Sequence, residues 1–500
     1  MTVSAPSHRS SPVAPTALIV AMVATALVGI VGSHLAIWIF IAAAGLLVAE
    51  AAFASLRWPR AVLVGVVLSP ILDRYLLPGL LPPDAQTLAH LLSEALLVTV
   101  GTALLVRAAR RSSIRAAFDH STVRLTLVFV LLGAISAVLN AVPIMQALSG
   151  IGFTIDAVAL FVLARLVGFT TRQAVVAIGA VVGLVLAGAV VAVAQALLSP
   201  DLLGLSALRG RFGEAYRLAA FFGDPNVFAA FLSASIPFTL FGATGLRTKR
   251  VRRIALATAF LLVLALWLSF SRGGWLGAIG GFAIASLIVD HRPIRVGAAV
   301  MVLALLVALF MPRNLLCPTC EARPDLVGST FGRVDTVGTG RDLRVLFVLN
   351  GMPILADHPL LGVGPGIYGG AAADIYGTPV YARYGTDKLF ANATQRTVDD
   401  FWLHLVVESG LLGLTAYLAM IATALAPIIR RARMATMKRG VVLAGITGAV
   451  TGLALNAVTT MLLEANSVAF LFWFLLGIGS QLAVEPDSEP ARAPILDGAG

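Results

Sequence analysis

Charge is what this sequence has least of. Only 12% of its 500 residues are Asp, Glu, Lys or Arg, about half the share of a soluble domain. That excludes a water-soluble globular enzyme. The 59% hydrophobic content excludes a disordered chain. Cysteine is nearly absent: Cys317 and Cys320 are the only two. There is therefore no disulfide framework and no four-thiolate metal site. Basic residues number 36 against 25 acidic ones, a net charge of +11. In an apolar chain this excess marks cytoplasmic loops rather than nucleic-acid binding.

What is present is apolar length. Fourteen runs read as spans, near 15–32, 34–55, 60–78, 88–107, 123–140, 145–167, 174–198, 226–244, 253–270, 273–289, 294–311, 400–426, 439–461 and 466–483. Runs of this length satisfy their backbones in lipid as helices, and the short alternating strands of a membrane barrel are absent. The third run is the weakest, because Asp73, Arg74 and Pro78 crowd its end. The first continues into the second and reads as a retained span rather than a cleaved signal. The expected fold is an all-α polytopic membrane protein of about 12–14 transmembrane helices, with one long external loop containing short helices.

Orientation follows from the arginines. Arg57 and Arg60, Arg107 to Arg115, Arg172, Arg247 to Arg253, Arg292 and Arg295, and Arg430 to Arg439 each follow an even-numbered span. All then share the cytoplasmic side, and both termini join them. The expected organisation is a cytoplasmic tail over 1–14, helices 1–11 over 15–311, an external loop over 312–399, helices 12–14 over 400–483 and a disordered tail over 484–500. No internal repeat is visible. The external Cys317-Pro-Thr-Cys320 reads as a local staple, since no thioredoxin-like setting surrounds it.

Four external segments carry polar residues with unusual surroundings. The first holds Arg209, Arg211, Glu214 and Arg217, then a Gly-Asp-Pro-Asn turn, Gly223 to Asn226, opening a span. Asp224 or Asn226 suits a helix cap, and the helix start suits an anion. Arginines holding the loop to lipid headgroups are the alternative. The second is Ser269-Phe-Ser-Arg272-Gly-Gly, where an external Arg runs against the positive-inside trend. It suits a bound anion, a neighbouring carboxylate or a snorkelling side chain. The third runs from Gly340-Arg341 through an amphipathic stretch to Asp357-His358-Pro-Leu-Leu-Gly-Val-Gly-Pro-Gly366. Its glycines let the backbone approach a ligand closely, but the spacing is not a dinucleotide fingerprint. His358 before a proline is either structural or a direct participant. The fourth is Asp399-Asp400-Phe-Trp402-Leu-His404, then Glu408-Ser-Gly-Leu-Leu-Gly413. Carboxylates at the membrane re-entry pair with an arginine or act as base toward a hydroxyl.

In this order the four segments resemble the bacterial O-antigen ligase and polysaccharide polymerase superfamily, over roughly Arg209 to Gly413. The resemblance implies inverting glycosyl transfer on the outer face of the cytoplasmic membrane, with no cofactor and no metal. It implies a polyprenyl-pyrophosphate-linked glycan donor and a glycan or glycolipid acceptor. The bilayer is a further partner, other envelope polysaccharide assembly proteins are possible partners, and nucleic acid is not one. By motif, Arg217 and Arg341 hold the pyrophosphate, with Arg272 and Arg211 as further candidates. Asn226, Asp400, His358 and Glu408 join the substrate site. Family ligases carry a His-Asn-x-Tyr-Leu segment where this chain has Asp399-Asp400-Phe-Trp402-Leu. Asp399 thus stands where the family's proposed base does, with Arg341 as its catalytic partner. The departure moves weight toward a polymerase-like or specialised member. A flippase or other transporter, or a non-catalytic assembly subunit, are the rivals.

Overall fold

The computed structural model describes residues 33–76, 91–110, 114–199, 202, 208–209, 216–245, 248–288, 343–385, 387, 397–434 and 437–485. The first and eleventh expected spans, Arg211, Arg341 and the two cysteines lie outside these residues. Among the described residues nine helices are long and apolar enough to cross a membrane, or ten if one bent pair counts as a single span. The protein is an all-α polytopic membrane protein. Its two-residue strands, β1 (Leu208–Arg209) and β2 (Tyr216–Arg217), form one antiparallel ribbon.

The chain forms two units, divided at Arg111. The first contains α1 (Ser33–Arg57), α2 (Pro59–Ile71) with a π-helical turn to Leu76, and α3 (Leu92–Ala109). The charges crowding the third expected span are locally paired. The buried Asp73 carboxylate accepts from the Ser93 N–H at 2.8 Å, and Arg74 meets Glu94 at 3.2 Å. At 13 residues, α2 is shorter than the ~20 a spanning helix needs.

The second unit opens with α4 (Ile114–Phe118) and α5 (Ser121–Leu139), then α6 (Ile144–Ile155) and α7 (Val158–Val167), bent by 46° at Asp156. Next come α8 (Thr171–Leu197), α9 (Pro225–Gly245), α10 (Lys249–Ser269) and α11 (Arg272–Ile288). Then follow α12 (Leu343–Asp357), α13 (Ala371–Tyr376) and α14 (Val380–Arg383). Last come α15 (Phe401–Met434), α16 (Met437–Asn456) and α17 (Asn466–Val484). The α17 run Val468 to Gly479 is buried all round, as expected of a helix enclosed by others.

Glycine sets the closest packing. Gly277 and Gly281 on α11 face Gly448 and Gly452 on α16, each pair four residues apart. A Cβ on Gly277 would lie 2.5 Å from the Gly452 carbonyl oxygen, and one on Gly281 would overlap that of Gly448. The backbones touch, which is how small-xxx-small pairs hold membrane helices together. Gly281→Val is expected to force the pair apart at a cost of about 1–3 kcal/mol or more. The check is thermal aggregation in detergent, with Gly280→Ala, which meets only the Leu455 side chain, as the milder comparison.

Candidate active site

One end of the second unit gathers the polar segments. There α9, α11, α15 and α17 begin, and α10 and α16 end. The β1–β2 ribbon leads in, with the Leu218 N–H donating to the Leu268 carbonyl at 3.3 Å. Phe222 seats beneath it, against Phe228 and Phe231, where Gly188 on α8 leaves room for its ring. Asp224 caps α9: its Oδ1 accepts from the N–H groups of Asn226 at 2.7 Å and Val227 at 2.9 Å. This frees the Asn226 amide for other partners.

Arg217 and Asn226 form the centre of the first cluster. The Arg217 guanidinium donates to the Asn226 amide oxygen at 2.7 Å and to the Ser269 carbonyl at 3.2 Å. Ser271 donates to that same amide oxygen at 3.1 Å, and its Oγ accepts from the Gly274 N–H at the start of α11. The tight α10–α11 turn is possible because Phe270 takes a left-handed conformation, φ 54°. Arg272 is thereby the first residue of α11, half-buried, at a helix N-terminus that favours negative charge. Gly273 lies against Asn456 and Thr459, where any Cβ would overlap both side chains. The end of α16 in turn receives α15: Phe401 N–H donates to the Ala457 carbonyl at 3.0 Å, and the Trp402 indole to that of Ala454 at 2.9 Å. The segments that carry Arg217, Asn226, Arg272, Asp399 and Asp400 thus meet at this end.

The second cluster is built on α15. Asp400 caps it, its Oδ1 accepting from the N–H groups of Trp402 at 2.9 Å and Leu403 at 3.1 Å. Asp399 precedes it, half-buried, and follows Val398, whose N–H donates to the Gly369 carbonyl at 2.9 Å. The Glu408 carboxylate, which the sequence offered to arginines, accepts from the N–H groups of Gly366 at 2.8 Å and Tyr368 at 2.7 Å. His404 lies between two buried carboxylates, Glu408 and Glu464, at 3.9 Å from each, with its Nδ1 against the Tyr368 carbonyl. Glu464 accepts from the Ala371 N–H at 3.0 Å. Gly370 passes so close to His404 that a Cβ would lie 2.5 Å from its ring. Tyr368 donates its phenol to the Phe347 carbonyl at 2.9 Å; burial raises its pKa, so it stays a neutral donor.

The glycine-rich turn explains itself here. Helix α15 is broken at Gly410, φ 65°. The N–H groups of Leu411 and Leu412 donate to the Pro359 and Leu360 carbonyls, at 2.9 and 3.1 Å. The Val407 and Glu408 carbonyls accept from the N–H groups of Val363 and Gly364. The turn replaces the hydrogen bonds the break removes. Ser136 and Asn140 at the end of α5 hold it from the other side through the Leu361 and Gly362 carbonyls, and Gln146 holds Gly366. His358 lies at the outer edge of this joint, half-buried, its carbonyl accepting from the Gly362 N–H.

Sequence reading missed Glu464, gave His404 no role, and did not foresee Ser136, Asn140 or Gln146. Glu464 carried a signal, an ionisable residue in an apolar stretch. The three polar residues of α5 and α6 carried none.

The second unit is thus a helical membrane bundle with arginines and carboxylates gathered at one end. The family model of the O-antigen ligases matches residues 257–418, which cover most of α10, all of α11, α12 to α14 and the first half of α15. Over this segment the chain is similar to the O-antigen ligases, whose family-level activity is glycosyl transfer of the ligase or polymerase type on lipid-linked glycan. No curated protein matches the sequence.

Proposed function

We propose that the protein transfers or polymerises glycan from a polyprenyl-pyrophosphate-linked donor on the outer face of the bacterial cytoplasmic membrane. The observation that carries this reading is the Arg217–Asn226–Ser271 network beside Arg272, joined through α16 to Asp399. The acceptor hydroxyl oxygen attacks the anomeric carbon from the face opposite the leaving group. The bond to pyrophosphate oxygen breaks, the configuration inverts, and Asp399 takes the hydroxyl proton. Pyrophosphate already leaves well and needs its growing charge stabilised rather than a proton. Arg217 and Arg272 supply that as preorganised guanidinium donors, with Arg341 and Arg211 joining them by motif, without a metal. Asn226 fixes Arg217, Asp400 sets the position of Asp399 through the helix cap, and Glu408 and His358 shape the loop that covers the site.

One observation favours a transporter instead. The α6–α7 helix breaks at Asp156, beside an apolar cleft of about 410 Å³ lined by Thr126, Leu127, Ile155, Asp156 and Val162. Broken helices are a transporter trait. The cleft lies toward the start of α5, away from the arginine network, and suits a lipid chain rather than a headgroup. The two readings separate by complementation of a strain lacking the protein. Wild type, Arg217→Ala, Arg341→Ala and Asp399→Asn are compared at matched membrane levels. The expected result is lost surface glycan and accumulated lipid-linked precursor with each variant. Purified protein should also convert lipid-linked oligosaccharide in detergent. Full complementation by all three variants, or no conversion by active wild type, overturns the transferase reading.

A further inference from the structure

We propose that α12 lies along the outer surface of the bilayer, with Val348, Leu349 and Met352 in contact with lipid acyl chains. The helix has two faces. Phe347, Gly351 and Ile354 recur at helical spacing, are buried, and pack with Leu403 and Val407 of α15. The other face carries Val348, Leu349 and Met352, exposed by 42%, 61% and 52%, followed by exposed Pro353 and Ala356. From Val345 to Ala356 the sequence has no charged residue. A helix of a water-exposed loop turns its polar side outward. This one turns an apolar stripe outward.

Continuity with the spanning surface identifies the occupant. The chain leaves α12 and enters the Gly410 joint, where Leu360, Leu411 and Leu412 are exposed by 59%, 49% and 44%. Helix α15 is broken at Gly410, so its two parts are separate helices. The hydrocarbon core is only ~30 Å thick. The stretch from Leu411 to Met434 spans it alone, with Arg430, Arg431 and Arg433 at the far end. The nine residues before Gly410 are the excess and stand above the hydrocarbon. Since α12 packs on Leu403 and Val407, it sits one to two turns above the break, at the depth where interfacial helices bury an apolar face. The α5–α6 corner at the same joint also exposes apolar side chains, Val138, Leu139, Ile144 and Met145. The lipid contact does not rest on the glycosyl-transfer reading.

The test uses full-length protein with Cys317→Ser and Cys320→Ser, in phosphatidylethanolamine–phosphatidylglycerol (3:1) vesicles. A nitroxide is placed by Leu349→Cys or Met352→Cys. Arg383→Cys on α14 serves as the aqueous reference and Leu131→Cys on α5 as the lipid-facing one; both positions are exposed. Power saturation then compares collision with oxygen and with a water-soluble nickel chelate. The expected result is an oxygen-to-nickel ratio at 349 and 352 several-fold above that at 383 and close to that at 131. A ratio matching position 383 overturns the proposal in favour of an aqueous face. Low collision with both probes overturns it in favour of protein cover, by a second copy or another segment of the chain.

Discussion

Gly410→Ala and Gly362→Ala should each destabilise the protein far more than Gly377→Ala. All three glycines have positive φ, at +65°, +68° and +72°, so each substitution carries the ~1–2 kcal/mol cost of a left-handed conformation. They differ in what surrounds them. A Cβ on Gly410 would overlap the Leu360 carbonyl group and lie 2.5 Å from the Leu361 nitrogen. One on Gly362 would overlap the Glu408 carbonyl and lie 2.6 Å from the Gly410 nitrogen. Around Gly377 nothing lies within 4 Å. The clashing atoms are backbone and cannot rotate away, so overpacking adds about 1–3 kcal/mol at the first two positions. The measurement is the fraction of monodisperse protein left after a heating series in detergent. Equal losses for all three variants would mean that the turn does not dock in the α15 break as described.

Glu408→Gln should fail almost as badly as Glu408→Ala. The buried carboxylate accepts two backbone N–H groups, one on each oxygen. Alanine leaves Gly366 and Tyr368 with unsatisfied donors, each costing about 1–3 kcal/mol. Glutamine keeps the shape but sets its NH2 group against one of the donors, so it satisfies only one of them. His404, held between Glu408 and Glu464, also loses one of its two carboxylates. Both variants are therefore expected to lose thermal stability together with glycan transfer. Full stability with transfer abolished would instead assign the carboxylate to substrate contact, and the loop would need another anchor. Glu464→Gln is a gentler probe of the same joint, because its one backbone bond, from Ala371, can be kept by the amide oxygen.

Composition and hydropathy determined the fold class. So few charges in so long an apolar chain leave only helices in lipid, and the boundaries of twelve of the fourteen expected spans can be compared with described helices. Most agree within a few residues, because loss of apolar character and turn residues mark helix ends locally. The motif order likewise pointed to the family that the 257–418 match supports. Asp224 was legible as a cap because a cap is a local device. The tertiary structure decided what each polar residue binds. Glu408 reads in sequence as a costly carboxylate in a span, yet its partners are amides about forty residues earlier. The break at Gly410 has no sequence signal beyond a glycine, since it depends on a distant turn replacing the helix's own hydrogen bonds. Glu464 and His404 meet only when α15, the Gly369–Ala371 segment and the α16–α17 connection fold together. Hydrophobic patterning encodes which residues leave water; which donor meets which acceptor is fixed by long-range packing, and the sequence records that nowhere in one place.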